Sequence, residues 1–168
     1  GLEHAGGLKG IRARHEVHAV HMADIDWRMR RSGPIPVVCT TVGPGNYNTI
    51  PGIAEAFFDS IPMLILMAAG PTRWFGRGGI QEAYRYGQEE FITMLKPITK
   101  QAVLAVRPDT TLDTVVRAYK TAVTGRPGPV VVMVPLDVQN TEIEVDLPDP
   151  AGWLDIHPPH PSGKGIDD

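Results

Sequence analysis

The sequence predicts an α/β fold, a doubly wound, mainly parallel sheet with helices on both faces. Short apolar runs, most of them β-branched, recur at 11–14, 36–42, 62–69, 101–106 and 129–134. Amphipathic stretches with three- and four-residue apolar spacing lie between them. Continuous apolar runs suit strands covered on both faces, and strand–helix alternation at this period means βαβ units with right-handed crossovers.

The elements follow in order. The run at 11–14 is the first expected strand and feeds a helix over 16–31, where Val17, Val20, Ala23 and Trp27 share a face. The basic cluster "WRMRRSG" reads as the solvated end of that helix, its cations placed against the negative end of the helix dipole. The strand at 36–42 contains Cys39, which reads as a small buried core residue rather than a nucleophile. A helix is expected over 46–60, with Ile50, Ile53, Ala54 and Phe57 on one face, followed by the strand at 62–69. Residues 70–96, rich in glycine, arginine and aromatics, read as a long surface loop entering a short helix. After the strand at 101–106, a helix over 109–124 is capped by Asp109 or Thr110 and stopped at Gly125. The strand at 129–134 closes the pattern.

Proline and glycine without periodicity mark 148–168 as a linker toward a middle domain absent from this chain. Residues 1–10 supply no strand and read as the remnant of a preceding loop or helix, leaving 11–147 as the domain.

Composition narrows the partners. A net charge of −3 gives no electrostatic case for nucleic acid or an anionic membrane. One cysteine allows neither an internal disulfide nor a thiolate metal cage. The longest apolar run, "IPMLILMAAG", is far short of the ~20 residues of a membrane span, and no secretory leader is visible. The expectation is a soluble, cytoplasmic protein.

Three features could carry chemistry. His15, His18 and His21 stand three apart around Glu16, with Asp24 a further three on, but the zincin spacing is absent. They read as solvent-facing or capping groups, and no metal ligand is assigned. "TTVGPGNYNTI" has the strand–turn–helix form that aims backbone N–H groups at a ligand, without a GxGxxG or P-loop spacing. Read alone it is equally a tight structural turn. Glu16 stands where a strand is expected to meet a helix, the edge at which α/β sheets present ligand-binding groups. An acid there also suits the helix dipole without any chemistry.

The ordered set changes the weight of each part. "RHEVHAVHMAD", "GPGNYNTIPGIAEAFFDSIPMLIL", "GGIQE", "KPITK" and "GRPGPVVVMVPLDVQ" follow one another over most of the chain. Together they resemble the N-terminal pyrimidine-binding (Pyr) domain of thiamine diphosphate enzymes, in the acetolactate synthase-like group. The resemblance implies a thiamine diphosphate-binding fold, here lacking the family's first strand and helix. It implies that Glu16 hydrogen-bonds the cofactor's pyrimidine N1′ and promotes formation of the ylide that attacks a 2-keto acid. That role asks for a carboxyl whose proton affinity is raised in a dry pocket. Gly43, Pro44, Gly45 and Asn48 match the family's GPGxTN turn at the cofactor, and Gln81 matches a glutamine near substrate.

The same resemblance implies a carboligase or decarboxylase acting on 2-keto acids. Mg²⁺ would be held by a diphosphate-binding (PP) domain absent here, and FAD is a further candidate cofactor. The implied partner is the PP domain of another subunit within a homo-oligomer, a dimer or tetramer, so this chain alone is expected to be inactive. Departures stand at Ile25 and Asp26, where the family has Gly-Tyr, at Ile80 for an aromatic, and at Leu136 for lysine. The last two also fit a decarboxylase, another carboligase or a cyclic-dione hydrolase. The alternative is a non-catalytic Pyr-like module that pairs with a partner chain.

Overall fold

The computed structural model describes residues 9–78, 81, 89–147 and 149. The elements run α1 (Glu16–Arg30), β1 (Val37–Thr40), α2 (Pro44–Tyr47), α3 (Ile50–Phe58), β2 (Met63–Ala69), α4 (Glu89–Leu95), β3 (Gln101–Leu104), α5 (Pro108–Val123), β4 (Pro129–Pro135) and α6 (Leu136–Gln139). Short 3₁₀ turns lie at Thr72–Trp74 and Lys96–Ile98.

The four strands form one parallel sheet in the order β1-β2-β4-β3. The chain moves one way across the sheet from β1 to β2 to β3, then steps back to β4. Right-handed crossovers place α3 and α4 on one face and α5 on the other, which is the doubly wound arrangement. The apolar runs explain the centre: every residue of β4 is buried, and Ile65 of β2 stands beside Val131 of β4. Each such side chain, fully buried, contributes about 1.5–3 kcal/mol of transfer free energy.

The helix carrying Glu16 is fixed to this core at two places. Gly52 of α3 presents bare backbone to Val20 of α1, and a Cβ there would lie 2.8 Å from Val20 Cγ1. At the other end Arg28 donates to the buried Asp24 one turn back and to Asp59 just past α3. Arg31 then ends α1 in the left-handed conformation, its N–H on the Trp27 carbonyl, with Arg28 and Arg30 in the last turn as the dipole favours.

Several expectations need correction. Residues 11–14 form no strand, and Ile11 is exposed; among the described residues no strand pairs with this run. Cys39 is exposed: β1 buries Val38 on one face of the sheet and turns Val37 and Cys39 to the other, which is uncovered there. The helix expected over 46–60 is two helices. Pro51, which lacks an N–H and crowds the preceding turn, stands at the start of α3, where helices tolerate it. Helix α5 begins after Arg107, not Asp109; Asp109 pairs with the Arg107 guanidinium instead. Gly125, at φ 69°, follows the end of α5 as expected. Of the loop at 70–96, residues 79–80 and 82–88 lie outside the described residues, as do 1–8 and nearly all of 148–168.

Candidate functional site

The residues singled out in the sequence come from three separate segments. Glu16 opens α1, directly after His15, whose Nδ1 accepts from the Val17 N–H at 3.3 Å as the helix cap. Gly43, Pro44, Gly45 and Asn48 form the turn into α2 at the carboxyl end of β1. Gln81 comes from the loop beyond β2.

The fold brings them together. Asn48 Nδ2 donates to Glu16 Oε2 at 3.0 Å. Gly45 is buried, and a Cβ on it would lie 3.1 Å from Glu16 Oε1 and 2.8 Å from Thr41 Cγ2. Gly43 has φ 68° and ψ −121°, and its missing Cβ is where the Gln81 backbone sits. Pro44 starts α2, where its absent N–H costs nothing. The Glu16 carboxylate therefore lies against Gly45 and Asn48, in the turn at the carboxyl end of β1, the edge where such sheets bind ligands.

Glu16 is half-buried, and its carboxyl is held below the ordinary value of 4.5, first by the Asn48 amide and then by its own backbone N–H. Partial burial opposes this without overcoming it, and His15 adds a small favourable field. In this structure the balance of these groups holds the Glu16 carboxyl low.

The histidines separate. His15 caps α1, His18 is exposed, and His21 Nδ1 lies 3.3 Å from Glu55 Oε2 on α3. Asp24 is occupied by Arg28. Among the described residues no group of three or more His, Cys, Asp or Glu side chains could hold a metal ion. Among the same residues no helix is long and apolar enough to cross a membrane.

Two supporting groups were not foreseen. Asn46, within the GPGNYN turn, is 1% exposed, with both ends of its amide bonded. Beyond β2, Asp137 of α6 accepts from the Thr72 N–H and hydroxyl, bracing the entry to the Gln81 loop. Burial pushes the Asp137 carboxyl up, but the Thr72 donors and nearby backbone N–H groups outweigh it and hold it low. Both lie inside motifs quoted above, but nothing in the sequence marks either one apart from its neighbours.

The fold is a parallel α/β domain with Glu16 beside the turn at Gly43–Asn48, and sequence comparison gives its family. The family described as "Thiamine pyrophosphate enzyme, N-terminal TPP binding domain" matches residues 1–89. The chain belongs to that family, in its acetolactate synthase-like group. It is 37% identical to the acetolactate synthase isozyme 3 large subunit of Escherichia coli over 83% of this chain and 23% of the relative. It is 36% identical to the acetolactate synthase large subunit of Lactococcus lactis over 96% of this chain and 26% of the relative. A probable acetolactate synthase large subunit of Methanocaldococcus jannaschii is 39% identical over 83% of this chain and 22% of its own length. The chain thus spans about a quarter of the curated relatives it matches.

Proposed function

We propose that this chain forms the pyrimidine-binding half of a thiamine diphosphate site, in an enzyme acting on 2-keto acids in the cytoplasm. The observation that supports it is the convergence of Glu16, Asn48, Gly45, Gly43 and Gln81 at one sheet edge. The fit is chemical. A heteroaromatic ring nitrogen can be met by a hydrogen-bonding carboxyl at the ring's edge. Glu16 offers that carboxyl, and the glycines at 43 and 45 let the turn pack closely against it and against the Gln81 backbone.

When bound, thiamine diphosphate supplies a carbon nucleophile and an electron sink for breaking and making the bond beside a keto group. The protein's part is binding, orientation and one proton. Glu16 can hold that proton at a carboxyl oxygen only if its affinity for it rises. The Asn48 bond works against this, and covering the site from solvent works for it. A partner domain that excludes water from Glu16 is therefore part of this reading. Mg²⁺ and the diphosphate fall to a PP domain of another subunit in a homo-oligomer, and Gln81 lies toward the substrate.

Calorimetry with thiamine diphosphate, Mg²⁺ and a separately expressed PP domain tests the reading. Binding should be lost in Glu16→Gln, and the chain alone should show no turnover of pyruvate. A second reading, a non-catalytic module that pairs with a partner chain, draws on α1. Met22, Ile25 and Met29 form an exposed apolar stripe there, and the family has glycine where Ile25 stands. Partner binding indifferent to cofactor and to Glu16→Gln would favour that reading.

A further inference from the structure

We propose that Asn46 is a positioning residue for Glu16, acting through the turn that carries Asn48. The inference rests on the reading of Glu16 as the ring-binding group, and it concerns the variable position of the GPGxTN turn. Asn46 lies inside a four-residue helix, yet it is among the least exposed polar residues of the fold.

Every polar group of Asn46 is used. Its Oδ1 accepts from the Thr40 hydroxyl at 2.8 Å, and its Nδ2 donates to the Ala68 carbonyl at 2.8 Å. Thr40 ends β1, and Ala68 lies one residue from the end of β2. One side chain therefore ties two neighbouring strand ends to α2. The backbone completes the lock. The Asn46 N–H donates to the Gly43 carbonyl at 2.9 Å, and its own carbonyl accepts from the Thr49 hydroxyl at 2.6 Å.

The residues on either side ride on the turn that these bonds anchor. Gly45 precedes Asn46 and lies against Glu16 Oε1; Asn48 follows by two and donates to Oε2. Rotating or lifting α2 would move both away from the carboxyl. An amide suits this place because one end must accept and the other must donate. Alanine would leave Thr40 and Ala68 without their partner, and a buried unpaired group is relieved by movement of the backbone around it.

The test follows the Glu16 carboxyl by carbon-detected NMR titration of the full chain without cofactor, alongside thermal melts. Asn48→Ala should raise the Glu16 midpoint to its ordinary range. Asn46→Ala should raise it most of the same distance while the chain stays folded. Thr40→Val, which removes one of the two side-chain bonds, should raise it less, and it carries the test if Asn46→Ala does not fold. A folded Asn46→Ala variant, or failing that Thr40→Val, that melts lower but keeps the wild-type midpoint overturns the proposal. A wild-type midpoint equal to that of Asn48→Ala overturns it too, since there would be no bond to position. Because cofactor is absent, failure of the cofactor-binding reading shows separately, in calorimetry.

Discussion

Replacing Gly43 by alanine is the sharpest stability test of how the site is assembled. Two costs add at that position. With φ 68° and ψ −121°, Gly43 lies in backbone space that residues with a Cβ avoid, a strain of about 1–3 kcal/mol. The new methyl would also overlap the Gln81 carbonyl oxygen and come within 2.9 Å of the Gln81 Cβ, an overpacking cost of about 1–3 kcal/mol. Together they give about 2–6 kcal/mol, a large share of the 5–15 kcal/mol typical of a domain. Gly125 supplies the comparison. Its φ is 69°, but a Cβ there would meet nothing within 4 Å, so Gly125→Ala should cost only about 1–2 kcal/mol. Urea unfolding of the two variants with unchanged slope gives the difference directly. Equal costs, within about 0.5 kcal/mol, would mean that Gln81 does not rest on Gly43 and that the loop is not part of the site.

The lowered Glu16 carboxyl has a pH signature. Its stabilising contribution is complete above the unfolded value near 4.5 and is lost as pH falls through the lower folded value. The stability gap between wild type and Glu16→Gln should therefore shrink below about pH 4.5 in urea titrations; a gap constant from pH 7 to 3 contradicts the Asn48 bond. The contact between α1 and α3 predicts a size switch. Gly52→Ala should cost about 1–3 kcal/mol by meeting Val20, and adding Val20→Ala should recover part of it in a double-mutant cycle. Strict additivity would place the two residues out of contact.

Legibility in the sequence followed how locally each feature is determined. β2 and β4 were readable because "MLILMAA" and "PVVVMVP" are buried along their whole length, or nearly so, and their periodicity needs no partner. Burial at Cys39 was not legible because the apolar run around it looks the same whether one face of the strand is covered or two, and only what packs on each face settles that. The run at 11–14 failed for want of a pairing partner among the described residues, a property no four-residue window holds.

The site divides the same way. Glu16 and Asn48 are 32 residues apart, and their meeting was suggested only by the order of motifs along the chain. The state of Glu16 was not legible, because the donor that lowers it arrives from another segment. Asn46 passes for an ordinary turn residue. Its role depends on Thr40 and Ala68, which reach it from two different strands.

The most direct measurement of the central claim is an amide NMR titration of the labelled chain with thiamine diphosphate, Mg²⁺ and a separately expressed PP domain. The account predicts shifts concentrated at Glu16, Gly43, Gly45, Asn48 and Gln81, and their disappearance in Glu16→Gln. Shifts confined to the exposed stripe of α1, or unchanged by that substitution, would contradict it.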